Sequence, residues 1–188
     1  AKKTSYYAHI YINFINLRTI FAILLRMKNR IIQMKEEMRD CLDNNILSFW
    51  LKMQDYENGG FYGRATSDGT IVKTANKGGI LNASILWAFS AAYRVTGNEA
   101  YRNAATRAKD YISEYFIDHE YGGKYWELDH KGNPVDTKKQ FYAIGFAIYG
   151  LSEYHRATGD ETALLEAINL FNTIEEHSFD SKYNGYIE

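Results

Sequence analysis

An internal repeat of 62–63 residues is the feature that most constrains this chain. The segment ENGGFYG, which contains Gly60, returns as EYGGKYW, in which Gly123 lies 63 residues further on. A third opening, YNGY, places Gly185 another 62 residues along. Self-similarity at a fixed period is the signature of a repeat architecture, in which neighbouring units bury each other's apolar faces. The sequence therefore predicts two repeat units and the beginning of a third.

Each unit contains two helical patterns, because apolar residues recur at spacings of three and four. The predicted helices are Lys35–Met53, Gly78–Arg94, Glu99–Phe116, Lys138–Thr158 and Glu161–Glu176. Gly97 and Gly159 are predicted C-caps, and Asn98 and Asp160 directly after them are predicted N-caps. Helices joined by so short a turn run antiparallel, so each unit is expected to be a helix pair.

A small β-hairpin is predicted between the helix pairs. Gly122-Gly123 opens it, and a turn at residues 131–134 brings the chain back. Asp136-Thr137 is then the predicted N-cap of a helix that begins near Lys138. Hairpin loops on one side of stacked pairs favour a closed α/α toroid over an open solenoid. We therefore predict an all-α toroid with hairpins around one mouth, in which the helices 78–94 and 138–158 form the inner ring.

Composition excludes some classes of function. A net charge of −1 gives no sign of a nucleic-acid-binding surface. Cys41 is the only cysteine, so no internal disulfide is possible and a reducing cytosol is the expected compartment. The 16 tyrosines suit a ligand cavity, in which a ring offers both an apolar face and a hydroxyl, but they also suit plain helix packing.

Residues 1–33 belong to no repeat. We expect them to lie outside the fold, with the natural start at Met34 or Met27, and residues 34–188 to form the toroid domain. The apolar run Ile10–Leu25 is interrupted by polar residues, so it does not read as a membrane span, and no signal-peptide cleavage site follows it. A helix lying on a membrane surface is the alternative.

The titratable residues indicate little chemistry by themselves. None of the five histidines forms a metal-type pair at i and i+4, so they are interpreted as solvated or capping residues. No metal or nucleotide cofactor is expected. Three carboxylates near the presumed mouth, Glu127, Asp129 and Asp136, leave glycoside hydrolysis as an alternative.

Three long segments resemble a known family: ENGGFYG, KGGILNASILWAFSAAYRVTG, and EYGGKYWELDHKGNPVDTKKQFYAIGFAIYGLSEYHRATGD. From about Met34 to Glu188 the chain is similar to the cellobiose 2-epimerase branch of the N-acylglucosamine 2-epimerase family. The resemblance implies an (α/α)6 barrel of about twice this length, of which this chain is expected to be the N-terminal two and a half repeats.

The resemblance also implies a reaction, the interconversion of glucose and mannose at the reducing end of a β-1,4-linked disaccharide. In the family one histidine removes the proton at C2, which the neighbouring carbonyl acidifies, and a second histidine returns a proton to the other face. Imidazole suits both roles because its pKa lies near the working pH. Both histidines belong to later repeats, beyond Glu188, so no catalytic residue is assigned here and the chain alone is expected to be inactive.

What this chain is expected to supply is part of the sugar pocket. Tyr142 matches a family tyrosine that lines the cavity, Trp126 is placed to stack on a sugar, and Asn82 belongs to the same predicted set. Ser84 stands where the family usually has arginine, whose fixed charge serine does not replace. Ile144 stands where many relatives carry glutamine.

Other interpretations stay open. The chain can be a non-catalytic carbohydrate-binding remnant, or its substrate can be an amino sugar. We also expect Phe146, Tyr149 or their neighbours to form an exposed apolar patch, through which the chain can self-associate.

Overall fold

The computed structural model describes the backbone of residues 2–188 and the side chains of residues 18–188. Its helices are α1 (Lys2–Cys41), a π-helical segment Leu42–Leu47, α2 (Ser48–Lys52), α3 (Gly79–Thr96), α4 (Glu99–Tyr111), a π-helical segment Ile112–Phe116, α5 (Phe141–Thr158) and α6 (Glu161–Ser178). Its strands are β1 (Lys77–Gly78), β2 (Glu127–Leu128), β3 (Pro134–Asp136), β4 (Phe179–Asp180) and β5 (Gly185–Tyr186). Two compact units result, one ending at Phe49 and the other spanning Trp50–Glu188.

Most of the first unit is helix α1. The predicted domain boundary, between residues 33 and 34, falls inside this continuous helix. That boundary therefore stays a prediction. The apolar face predicted for Lys35–Met53 is mostly open to solvent, since Met38, Leu42 and Ile46 are exposed and Leu47 is buried. Among the described residues, no helix combines the length and apolar character that a membrane span requires.

The second unit confirms the predicted helix pairs. Helices α3 and α5, here called the inner helices, pack directly on each other, while α4 packs on α3 and α6 packs on α5. Gly97 and Gly159 end the inner helices in the left-handed conformation, with φ of 69° and 76°. The side chains of Asn98 and Asp160 accept backbone N–H groups at the start of α4 and α6, as the capping prediction requires.

Small side chains allow the inner helices to approach closely. Gly150 of α5 lies against the backbone of Ala83 and the side chain of Leu86, and a Cβ at this position would come within 2.8 Å of the Ala83 carbonyl oxygen. Ala143 and Ala147 of the same helix are also buried. This packing forms the centre of the core.

The loops of the first two repeats meet in one antiparallel sheet of order β1-β2-β3. Strand β1 leads directly into α3, and β2 and β3 form the hairpin before α5, so both loops lie at the same end of the inner helices. Pro134 is the first residue of β3, an edge strand in which its missing N–H costs no ladder hydrogen bond. The common placement of the hairpins is therefore confirmed.

The predicted start of the fourth helix was wrong. Helix α5 begins at Phe141, with Gln140 as N-cap, rather than near Lys138 after Asp136-Thr137. Asp136 instead ends β3, and its carboxylate accepts the N–H of Lys138 within the loop. The local hydrogen bond that suggested a helix cap thus stabilises a turn, since Asp side chains bond nearby N–H groups in both settings.

The third hairpin repeats the geometry of the first two. Asp55, Asp118 and Asp180 each accept, through Oδ1, the N–H groups two and three residues further along. Strands β4 and β5 then pair across the turn at residues 181–184. The fold is of the (α/α)6 toroid type, present as about two and a half helix-pair repeats with short β-hairpins in the loops.

Candidate functional site

Trp126 is held in place by the sheet that joins the two loops. The backbone N–H of Trp126 donates to the backbone carbonyl of Asp136 at 3.0 Å. Its backbone carbonyl accepts the N–H of Gly79, the first residue of α3, at 2.9 Å. The Nζ of Lys138 lies 4.6 Å from the centre of the half-buried Trp126 ring and forms an ion pair with Asp136 at 3.1 Å. A sugar that stacks on Trp126 must therefore use the other ring face or displace Lys138.

Tyr142 lies in the first turn of α5 and is the most accessible of the predicted site residues, with 61% of its surface exposed. Its backbone N–H donates to the Glu188 carboxylate at 3.2 Å, and its ring meets Phe146 edge-to-face at 5.1 Å. The phenol ring and hydroxyl therefore remain open to a ligand.

Asn82 and Ser84 are held within α3. Asn82 is fully buried, and its Nδ2 donates to the Gly78 carbonyl at 3.0 Å, while its Oδ1 has no hydrogen-bond partner among the described residues. The Ser84 hydroxyl donates to the carbonyl of Ile80 at 2.9 Å. Both polar groups thus serve their own helix, and neither extends toward Tyr142 or Trp126 by a hydrogen bond.

An exposed apolar surface runs along α5 from its N-terminus. We call it the aromatic face; it consists of Phe141, Tyr142, Gly145, Phe146 and Tyr149, which line a shallow concavity of about 390 Å³. Tyr149 is 50% exposed, and its ring stacks on Trp87 of α3 at 5.0 Å with an angle of 12° between the planes. The expected exposed patch around Phe146 and Tyr149 is confirmed.

Two ion pairs connect the hairpin loops to the residues that lead into the inner helices. They were not predicted from the sequence. Lys77 donates to Asp55 at 2.9 Å, and one repeat later Lys139 contacts Asp118 at 2.6 Å. Burial alone would raise the pKa of Asp118, but hydrogen bonds from Lys139 and from two backbone N–H groups lower it to about 2. For Asp55 the same balance of burial against Lys77 and Asn58 also lowers the pKa. Both carboxylates are therefore ionised. The recurrence of Asp and Lys at the repeat spacing was the sequence pattern from which these ion pairs could have been predicted.

Lys124 is a second group that the sequence analysis missed. It occupies the position of Phe61 in the first repeat, and both side chains are fully buried. Its Nζ lies 5.0 Å from the centre of the Phe116 ring and against Gly79, where a Cβ would stand only 1.9 Å away. Burial lowers the pKa of the Lys124 amine to about 7. The repeat alignment of Lys124 with Phe61 could have indicated this burial.

The three carboxylates considered for glycoside hydrolysis are occupied by structural hydrogen bonds. Asp129 accepts N–H groups from residues 131 and 133 and from the Asn133 side chain, and the Asn133 hydrogen bonds hold its pKa at about 2. Asp136 bonds Lys138, and Glu127 accepts from Asn76 at 3.1 Å. A general acid needs a raised pKa, so Asp129 and Asp136, whose pKa values are lowered, lack that property.

Two of the histidines are also engaged by backbone. Nε2 of His119 lies 2.9 Å from the Ser113 carbonyl, and Nδ1 of His155 lies 3.1 Å from the Asp160 carbonyl. Within residues 18–188, no group of three or more His, Cys, Asp and Glu side chains is arranged to hold a metal ion. His119 and His155 therefore show no paired acid and base, and His9 lies outside the residues whose side chains the structure describes.

A cleft of about 760 Å³ lies between the first hairpin and α4. Its lining includes Tyr56, Arg107 and Tyr111. A similar cleft of about 380 Å³ lies one repeat later, between the loop of His119 and α6. The equivalent residues that line it are His119, Asn169 and Thr173. Because the cleft recurs with different side chains, it arises from the junction of hairpin and outer helix in this architecture.

Comparisons with known proteins identify a family for most of the chain. The family model for N-acylglucosamine 2-epimerase (GlcNAc 2-epimerase) matches residues 34–188. A cellobiose 2-epimerase of Bacteroides fragilis is 58% identical over 156 residues, which are 82% of this chain and 40% of that protein.

Solved structures agree with the sequence relatives. The cellobiose 2-epimerase of Bacillus thermoamylovorans superimposes with a TM-score of 0.79 at 46% identity, over 80% of this chain and 39% of its own. That of Spirochaeta thermophila gives 0.80 at 36% identity, over 83% and 39%. The chain thus spans about 40% of the length of the relatives that it matches. With a family model that matches residues 34–188, and with TM-scores of 0.79 and 0.80 to these two structures, the chain belongs to the N-acylglucosamine 2-epimerase family.

Proposed function

We propose that this chain forms part of the sugar pocket of an enzyme that epimerises C2 of the reducing-end sugar in a β-1,4-linked disaccharide. The observation that carries the proposal is the 58% identity to a cellobiose 2-epimerase over 82% of the chain. The open aromatic face around Tyr142, beside the loop that carries Trp126, supplies ring surfaces of the kind that bind sugars.

The chemistry of C2 epimerisation divides into binding and proton transfer. The C2 proton, on the carbon next to the open-chain carbonyl, is removed from one face, and a proton is returned to the opposite face. These two steps need two groups that titrate near neutral pH. His119 and His155 are engaged by backbone carbonyls, and Asp118 and Asp129 are held ionised. We therefore assign to this chain binding of the sugar and not proton transfer, with no metal or nucleotide in the reaction.

A non-catalytic carbohydrate-binding role is the second candidate. It is favoured by Ser84, whose hydroxyl donates to the Ile80 carbonyl and leaves no fixed cation at the position where the family resemblance implies arginine. An amino sugar is the alternative ligand, as the description of the matching family model suggests. The exposed thiol of Cys41 agrees with the reducing cytosol that we propose as the compartment.

A titration of the full chain with cellobiose, followed by saturation-transfer NMR, tests the proposal. Tyr142→Ala should remove most of the transfer to the sugar, because the exposed ring is the proposed contact. Tyr121→Ala is the matched control, since Tyr121 is 75% exposed but lies on the hairpin loop outside the aromatic face. Equal loss in both variants, or no transfer with the unmodified chain, would contradict the proposed pocket.

The arginine position tests whether Ser84 lies in the sugar pocket. In an epimerase pocket, Ser84→Arg should strengthen cellobiose binding, because a guanidinium adds charged hydrogen bonds to sugar oxygens. If Ser84 lies outside the pocket, affinity should stay unchanged. Self-association through the aromatic face stays a prediction.

A further inference from the structure

The loops that open the first two hairpins share one backbone structure. We call residues 53–62 the first loop and residues 116–125 the second loop. In each loop the N–H of the last residue, Tyr62 or Tyr125, donates to the carbonyl of the first residue, at 2.8 Å and 2.9 Å. The two loops are therefore matched in their backbone and can be compared by their side chains.

One fully buried position distinguishes the two loops. In the first loop it is Phe61, whose ring stacks on Phe89 of α3 with 6.1 Å between the ring centres. In the second loop the equivalent residue is Lys124, so an amine is buried where the first repeat has an apolar ring. The second loop thus carries an ionisable group in its core that the first loop lacks.

The surroundings of the Lys124 amine suit its neutral form. Among the described residues its only hydrogen bond is to the carbonyl of Tyr125, at a long 3.4 Å, whereas an ammonium group has three N–H donors to satisfy. The amine also lies against Gly79, the first residue of α3, and the start of a helix carries partial positive charge. The Phe116 ring, 5.0 Å away, is an apolar neighbour. A proton on this amine is therefore unfavourable while the loop is closed.

The ionisable groups on the elements that pack around Lys124 are paired with other residues or exposed to solvent. Burial is the only cause that lowers the pKa of the Lys124 amine, so no charge among the described residues compensates it. Burial also raises the pKa of the neighbouring Tyr125 phenol above its ordinary value of 10.0. The other groups are Lys77 with Asp55, Lys139 with Asp118, Lys138 with Asp136, Glu127, which accepts from Asn76, and the exposed Glu114, His119 and Glu120.

We propose that proton uptake by Lys124 opens the second loop locally and frees Trp126 from α3, while the first loop does not respond. Opening brings the amine into water, which hydrates the charged form. The N–H of Gly79, against which the amine lies, donates to the Trp126 carbonyl at 2.9 Å, so this hydrogen bond belongs to the part that opens. The proposal concerns the loop itself and does not depend on the proposed sugar ligand.

The pH range of the effect follows from the two states of the amine. In the closed loop burial lowers the pKa of Lys124 to about 7, and in the open loop the pKa returns to its ordinary 10.5. Between these values the open loop binds one more proton than the closed loop. The equilibrium constant for opening therefore rises about tenfold for each pH unit that the pH falls, and it levels off below about pH 7.

Hydrogen exchange of the full chain, followed by NMR at pH 7.5 and pH 9, tests the proposal. The amide of Tyr125 reports opening of the second loop, and the amide of Tyr62 reports the first loop. After correction for the intrinsic exchange rates, protection of Tyr125 should increase roughly 20-fold over this range, and protection of Gly79 should follow it. Protection of Tyr62 should stay constant, a comparison within one molecule that needs no variant.

Two variants assign the effect to the buried amine. Lys124→Met should make protection of Tyr125 as independent of pH as that of Tyr62. His119→Gln is the control, because it removes an exposed titratable residue of the same loop, and it should leave the pH dependence unchanged. Protection of Tyr125 that is independent of pH in the unmodified chain would overturn the proposal. So would a pH dependence that persists in Lys124→Met, or an equal pH dependence at Tyr62, which would indicate global unfolding instead of local opening.

Discussion

Lys77 and Asp55 form an ion pair at 2.9 Å in which neither side chain is accessible to water. The equivalent residues of the next repeat, Lys139 and Asp118, are closer, at 2.6 Å, but Lys139 is 27% exposed. The pairs join the start of each hairpin loop to the residues that lead into the next inner helix. Loop position and helix position are therefore coupled by charge in both repeats.

Replacing Lys77 should destabilise the chain more than replacing Lys139. Lys77→Met leaves the buried Asp55 carboxylate without its cation, and breaking a buried pair on one side costs about 3–5 kcal/mol of unfolding free energy. Lys139→Met is the matched control, with an expected loss of about 1–3 kcal/mol because water can reach the site. Urea denaturation of both variants measures the difference, and a larger loss for Lys139→Met would contradict this account.

Acid should weaken the second pair in a defined window. The pKa of Asp118 is about 2 in the folded chain, against an ordinary value of 3.8. The unfolded chain therefore binds this proton more readily, so the contribution of Asp118 is complete above about pH 4 and is lost as the pH falls toward 2. Asp118→Asn should flatten the stability profile between pH 4 and 2, as thermal melts across that range would show. An unchanged profile would mean that Asp118 is not held ionised by Lys139.

Replacing Lys124 should stabilise the folded chain. Burial lowers the pKa of its amine from 10.5 to about 7, so between these values the unfolded chain binds the proton and the folded chain does not. Stability should rise with pH from about 7 to 10.5 because of this group. Lys124→Met should raise the melting temperature more at pH 6 than at pH 10. Equal effects at both pH values would show that the amine is not desolvated.

Gly79 tests the same contact from the other side. A Cβ at Gly79 would lie 1.9 Å from the Lys124 Nζ and 3.1 Å from the Trp126 carbonyl oxygen. Because Lys124 is fully buried and its amine must move within the core, Gly79→Ala should destabilise the chain, although alanine is favoured over glycine inside a helix by about 0.5–1 kcal/mol. Shortening the lysine in the double variant Gly79→Ala/Lys124→Leu should recover most of that loss. Denaturation of both single variants and the double variant closes the cycle. Additive changes in the unfolding free energy would show that the two residues are not in contact.

The parts of the fold that local sequence dictates were predictable. Gly97 and Gly159 need a left-handed backbone and Asp160 bonds the N–H groups after it, so the turns between paired helices followed from three residues. The start of α5 was not predictable from Asp136, because the same side-chain hydrogen bond stabilises a turn or caps a helix.

Contacts between distant segments were harder to predict. Asp55 and Lys77 are 22 residues apart, and no periodicity shows which loop carboxylate meets which residue at the start of a helix. For the candidate site, Tyr142 was predicted from the family resemblance and Trp126 from its place in the hairpin, and both stay predictions. The ammonium of Lys138 over the Trp126 ring emerged only from the folded hairpin.

The most direct test of the central claim is proton exchange at C2 of cellobiose. The full chain is incubated with cellobiose in D₂O, and NMR follows saturation transfer to the sugar and loss of the C2 proton of its reducing end. If this chain supplies binding residues and not the proton-transfer groups, the sugar should show contact with the protein that Tyr142→Ala removes, while the C2 proton persists and no mannose-containing product forms. Exchange at C2 by the unmodified chain, or a sugar that makes no contact with it, would contradict the account.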